Sequence, residues 1–183
     1  MALANYAAGG LGEKTAYLEI CGHGEISHWK EINKDGYFTD QGVCYYPNLK
    51  KEQIPILLNH GYERIIMDFG DEYIAFREEL LWCERKVFLL NLNPWQEFDA
   101  KKMINNVKDK SWGEAQPVYA GRNAQKAIKK AVEKECKIAV KEIPLIEDPR
   151  QVKEEAFSFM DFILGTPAKT VKKRKSLLPI KRR

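Results

Sequence analysis

Short apolar runs alternate with longer stretches of helical periodicity along most of the chain, and that alternation predicts a parallel sheet flanked by helices. Residues 2 to about 8 are rich in alanine and predict a helix that Gly9, Gly10 and Gly12 end. TAYLEI (15–20) reads as a strand, and a second extended piece is expected at 42–46. Lys50 to His60 carries Ile54, Leu57 and Leu58 at helical spacing, with Pro55 confining the regular part to the residues after it. RIIMDFGD (64–71) is an apolar run that stops at a carboxylate, as a buried parallel strand does when it delivers a polar side chain to the carboxyl edge of a sheet. Helices over 72–84, 96–107 and 123–135, strands over 86–93, 117–120 and 138–143, and a last helix from Pro149 to Leu164 complete the reading. The segment 25–48 has the weakest pattern.

Composition bounds this picture. A chain of 183 residues that is 44% hydrophobic supports one well-buried domain, and the pattern ends it near residue 165. No apolar run has the length of a membrane span, and the first residues lack the basic start and apolar core of a signal peptide, so a cytoplasmic protein is expected. Cys21, Cys44, Cys83 and Cys136 are scattered and form no CxxC pair, which favours reduced thiols. The net charge of +4 is unevenly distributed. Residues 166–183 hold 8 of the 30 Lys and Arg and no acid, which leaves the body with 22 basic against 26 acidic residues, a net −4. The expected organisation is therefore a domain over 1–165 and a basic, disordered tail over 166–183. Lys172, Lys173, Arg174, Lys175, Lys181, Arg182 and Arg183 are the candidate tail contacts to an anionic membrane or to nucleic acid. Leu177, Leu178 and Ile180 between them would give such a tail reversible, peripheral attachment to a membrane.

AGGLGEKT (8–15) has the glycines and the Lys-Thr pair of a nucleotide-binding loop. A phosphate cradle needs Gly-Lys-Ser/Thr contiguous, after a strand and before a helix, so that the phosphates meet a helix amino end. Here Glu13 separates Gly12 from Lys14, a helix precedes the glycines and a strand comes after them. That order predicts a helix-to-strand turn.

The ordered series resembles the MinD/ParA-type P-loop ATPases, the deviant-Walker group. ALANYAAGGLGEKTAYLEI looks like that family's helix after the phosphate loop and its second strand, and RIIMDFGD like its Walker B strand. VFLLNLNPW looks like the next strand of that family, and IAVKEIPLIEDP like the late strand ending at the nucleotide base. The resemblance implies a P-loop NTPase-like α/β fold that is incomplete at the amino terminus, because a member begins with a strand and loop, whereas the likeness here starts inside the next helix. It implies that Asp68 is the Walker B carboxylate, ordering water around Mg²⁺, with no metal held by protein groups alone. It places the switch aspartate within 19–24, where Cys21 and Gly22 stand. ATP and Mg²⁺ are expected only if the missing loop is supplied, and the partner is expected to be a protein or a second copy, with no specific small-molecule substrate indicated.

Three functional readings are compatible with these residues: a non-catalytic interaction or regulatory module, a genuine ATPase whose loop is encoded upstream of Met1, and an unrelated doubly wound, receiver-like binding domain. Among single residues, Asp68 fits a site edge or a helix cap, and Asp71 and Glu72 fit the acidic first turn of the helix after it. Cys21, His23 and His28 lack the second ligand pair that structural zinc needs, and His60 fits a helix carboxyl end. Trp82, Phe88, Trp95 and Phe98 are expected in the core or at its edge.

Overall fold

The computed structural model describes residues 1–166 apart from Cys21 and His23, so the tail and its candidate contacts lie outside the described residues. The chain divides into two compact units, Met1–Arg77 with Ile146–Met160, and Glu78–Leu145 with Asp161–Thr166.

The first unit is built on four strands, β1 (Thr15–Glu19), β2 (Phe38–Asp40), β3 (Val43–Tyr46) and β4 (Arg64–Asp68), in a sheet of order β2-β3-β1-β4. β1 lies between β3 and β4 and is parallel to both. Every residue of β1 is buried, which is why TAYLE reads as a continuous run and not as an alternation. The chain enters β1 from helix α1 (Ala2–Asn5), which widens into a π-helical stretch over Tyr6–Leu11. Two contacts pin the amino ends of β1 and β4 together. The Arg64 guanidinium makes a fork to Glu13, with Nε–Oε2 at 2.9 Å and Nη2–Oε1 at 3.0 Å, and the Lys14 amide donates to Glu63 Oε2 at 2.7 Å.

The weakly patterned region holds β2, which pairs with β3 as an antiparallel hairpin. Gln41 and Gly42 form its two-residue turn with φ of 47° and 83°, the positive pair that matches the twist of the flanking strands. Phe38 stacks on Tyr45 with ring centroids 5.2 Å apart, and these two join Ala4, Tyr17, Ile26 and Val43 in the core of this unit. Tyr45 is buried enough that its phenol pKa is pushed up to about 12, and its hydroxyl donates to Asn5 Oδ1 at 2.9 Å. Helix α2 (Ile54–Leu58) comes after a short 3₁₀ turn and takes Pro55 into its first turn, so it begins one residue before the proline and not after it.

The second unit carries an all-parallel sheet of three strands in sequence order, β5 (Val87–Asn91), β6 (Val118–Arg122) and β7 (Val140–Glu142). Helices α4 (Glu97–Lys108) and α5 (Lys126–Cys136) pack together, and Lys101 joins them by bonding both Glu97 and Glu135. Gly121 in β6 lets its neighbours close: a Cβ there would lie 2.7 Å from Leu92 Cδ1 and 3.0 Å from Val140 Cγ1.

Three helical expectations shift. The helix over 72–84 is confined to α3 (Arg77–Trp82), so Asp71 and Glu72 lie in the turns before it and the acids of its first turn are Glu78 and Glu79. The last helix begins at α6 (Phe157–Leu164), after turns that absorb 149–156, and Gly165 closes it with φ 69°. The first helix does not stop at Gly9 but runs on through Gly10 to Leu11.

Gly121→Ala is expected to lower the unfolding free energy by about 1 to 3 kcal/mol, the usual cost of overpacking, in urea titrations followed by circular dichroism. Tyr45→Phe, which strands Asn5 Oδ1 in the interior, should cost about 1 kcal/mol by the same measurement.

Candidate site at the carboxyl ends of β1 and β4

β1 and β4 run in register, Thr15 opposite Arg64 and Glu19 opposite Asp68, so two carboxylates finish adjacent parallel strands at the same edge of the sheet. The Ile20 amide donates to the Asp68 carbonyl at 2.9 Å, which extends the ladder to the point where the chains diverge. Such an edge is where open α/β sheets place their ligands.

The two carboxylates have unlike surroundings. Asp68 is exposed, and it is held by the Tyr17 hydroxyl on Oδ2 and by the Gly70 amide on Oδ1 at 3.0 Å. It therefore sits at the site edge and at the same time caps the turn after β4. Glu19 is only 3% exposed; its Oε1 accepts the Glu25 amide at 3.0 Å, and its Oε2 has no hydrogen-bond partner among the described residues. An unpartnered oxygen on a buried carboxylate is costly unless a cation or a donor reaches it. Beside these groups, the α-amino group of Met1 at the start of α1 is buried, which drives its pKa from 8.0 down to about 6 against the opposing pull of Asp68. The amino end of α1 and the carboxyl end of β4 thus share one neighbourhood.

β4 is parallel and ends in a carboxylate, as its sequence predicts, but it is the end strand of the four-stranded sheet and not an interior one. Its residues Arg64 to Met67 are accordingly half-buried. The apparent phosphate loop is a helix terminus. Gly12, with φ 75°, closes the π stretch in the left-handed conformation, its amide bonded to the Ala7 carbonyl, and the chain then leads directly into β1.

Sequence reasoning missed Glu19 and Tyr17. The cue was present, because TAYLE ends an apolar run on an acid as RIIMD does, and alignment of the two runs puts Glu19 beside Asp68. The resemblance points to Cys21 and Gly22 instead, and Cys21 and His23 lie outside the described residues. His28 ends a short 3₁₀ turn, and His60 lies just after α2 and stacks on Tyr62 with centroids 6.0 Å apart. Of the aromatic residues expected in the core, Phe88 is buried, whereas Trp82 is half-exposed and Trp95 and Phe98 are 78% and 76% exposed. These three lie in or beside helices whose buried positions are taken by other residues, such as Ala100, Ile104 and Val107 in α4.

No family model matches the sequence, and no curated protein does. Solved structures do match the fold. A ParA family ATPase from Chlorobium tepidum TLS superposes with a TM-score of 0.58 at 15% identity, covering 91% of this chain and 87% of that one. MinD from Aquifex aeolicus gives 0.52 at 13% identity over 88% of this chain and 78% of its own, and the MinC:MinD complex from the same organism gives 0.55 at 12% over the same shares. The chain thus has an α/β fold of the P-loop NTPase type, in the form shared by ParA and MinD. Among the described residues, no helix is long and apolar enough to cross a membrane.

Two measurements probe this edge. For the polypeptide 1–183 with a free amino terminus, the amine binds its proton more weakly when folded, so the unfolded state takes up more protons between pH 6 and 8 and stability should rise across that window, by about 2 to 3 kcal/mol. Urea unfolding at both pH values, repeated after amino-terminal acetylation, should show that part of the slope vanish. Glu19→Gln should raise stability by about 1 kcal/mol in metal-free buffer, because it removes a buried charge while its amide oxygen still accepts from Glu25. A loss of similar size would mean that a donor of the protein already serves Oε2.

Proposed function

We propose that this polypeptide is a MinD/ParA-like domain that works as a non-catalytic interaction or regulatory module. The observation that carries the proposal is the conformation of residues 8–15. Their glycines close a helix and feed a strand, so this segment presents helix carbonyls where a phosphate cradle presents amides. The edge formed by Glu19 and Asp68 does suit a hard divalent cation, since it offers oxygen donors, one of them buried and unsatisfied. Those two residues would hold Mg²⁺ or its water shell, and the ion would supply charge neutralisation for an anionic group brought to the same edge. Exposure of Trp95 and Phe98 supports a protein partner or a second copy of the chain, because large aromatic side chains are enriched where proteins meet. The basic tail, Lys172 to Lys175 with Lys181 to Arg183, would add contact to an anionic membrane or to nucleic acid.

A second reading is favoured by the closeness of Met1 to Asp68: a phosphate loop joined ahead of α1 would arrive beside the Walker B-like carboxylate, and the whole would be an ATPase. Inspection of the DNA upstream of the Met1 codon for an in-frame strand and a GKT- or GTT-type loop separates the two readings. The likeness to ParA and MinD favours both over a receiver-like domain.

Calorimetric titration of residues 1–183 with Mg²⁺ and ATP, together with a phosphate-release assay, tests the proposal. Binding no tighter than about millimolar and release no faster than the blank are expected. Tight binding with turnover by this polypeptide alone would overturn it.

A further inference from the structure

The second unit contains an open cleft of about 540 Å³ that lies away from the carboxyl edge of its sheet. It opens at the amino ends of β6 and β7, beside the carboxyl ends of α4 and α5. Lys108, Lys110, Lys137 and Lys141 line it, and among the described residues none that lines it is acidic. Its remaining lining is largely apolar and aromatic: Trp112, 3% exposed, is fixed by its indole N–H bond to the Val107 carbonyl at 2.6 Å, and Phe162, 37% exposed, offers a ring at the surface.

Lysines at helix carboxyl ends have an ordinary role, since each such end carries roughly half a negative charge. Two helix ends account for about one of the four positive charges. Lys108 serves that role directly, donating to the Cys136 carbonyl at 2.8 Å, and Lys141 lies over the Phe162 ring at 4.6 Å from its centroid. Lys110 and Lys137 are in excess of what the helix ends require. Lys137 is moreover held at φ 50°, the left-handed helix terminus where glycine is the unstrained choice. Lys137 lines the cleft from that position.

We propose that this cleft binds a small organic anion with a flat apolar body, an aromatic phosphate or carboxylate, whose ring lies against the Trp112 and Phe162 side of the cleft and whose charge meets Lys110 and Lys137. The volume suits such a molecule, because small-molecule sites are of roughly 300 to 1,000 Å³ with apolar walls and a few charged groups. The proposal is independent of the edge formed by Glu19 and Asp68.

The test uses the whole chain, 1-naphthyl phosphate and 1-naphthoate as probes, and ¹⁵N amide NMR with tryptophan fluorescence as readouts. Saturable binding of either anion that moves the amides of Gly113, Lys137 and Ala139 is expected, with the stronger of the two identifying the acidic group preferred. Uncharged 1-naphthol and inorganic phosphate should each bind at least about tenfold more weakly, and the affinity should fall with salt. The double variant K110E/K137E should lose about tenfold or more while keeping the native circular dichroism spectrum. Equal binding of naphthol and naphthyl phosphate, shifts that map elsewhere, or an unchanged affinity in the folded double variant would each overturn the proposal. If that variant does not fold, Ala139→Phe, which fills the cleft without changing its charge, must abolish the Gly113 and Lys137 shifts.

Discussion

Parallel pairing of β1 with β4 is the constraint on which the rest of the first unit depends. β1 is buried at every position, so its backbone groups have no water to turn to and must be met by β3 on one side and β4 on the other. The register is set at the amino end by the fork between Arg64 and Glu13, and a one-residue slip would break that fork and move Tyr17 away from Asp68. Glu19 is carried into the interior by the same register. The strand that delivers it is otherwise well paired, and the result is a buried carboxylate oxygen without a hydrogen-bond partner among the described residues, at the end of β1 opposite Asp68.

Both units bury aromatic rings in contact, and in the second Phe88 packs on Trp112 and Tyr119. In the first, aromatic side chains fill the core, with Phe38, Tyr45 and Tyr17 in tilted or stacked contact. In the second, the strands are drawn close by the absence of a side chain at Gly121, the two helices are tied by charge through Lys101, and α5 is held to β7 by the Val140 amide, which donates to Glu133 Oε1 at 2.9 Å. Each sheet has two end strands with a single partner within it, β2 and β4 in one and β5 and β7 in the other.

Much of this was readable in the residues. RIIMD, VFLLN and TAYLE are apolar runs bounded by turn residues, and each is a parallel strand; TAYLE and VFLLN lie within a residue or two of their expected limits, whereas the strand expected over 64–71 stops at Asp68. The splitting of Gly-Lys-Thr by Glu13 and the helix-before-strand order identified residues 8–15 as a turn, and Gly12 at φ 75° shows why. The features that stayed hidden depended on pairing. The strand Phe38–Asp40 has little pattern of its own and exists because Val43–Tyr46 folds back on it, and the partnership of Glu19 with Asp68 joins residues far apart in the chain. Exposure of Trp95 and Phe98 was equally invisible, since an aromatic residue beside an apolar run reads as core until the packing is known.

The β2-β3 hairpin has a consequence for how the molecule is made. Among the described strands it is the one pairing closed by a two-residue turn, whereas β1 must wait for β3 and β4, and β5 for β6, across long intervening segments. Chain closure over such distances costs entropy before any contact repays it, so acquisition of the native topology should be slow for a chain of this size. By that argument the hairpin, closed by the shortest loop, is expected to form first and to offer β3 as an edge on which β1 can align.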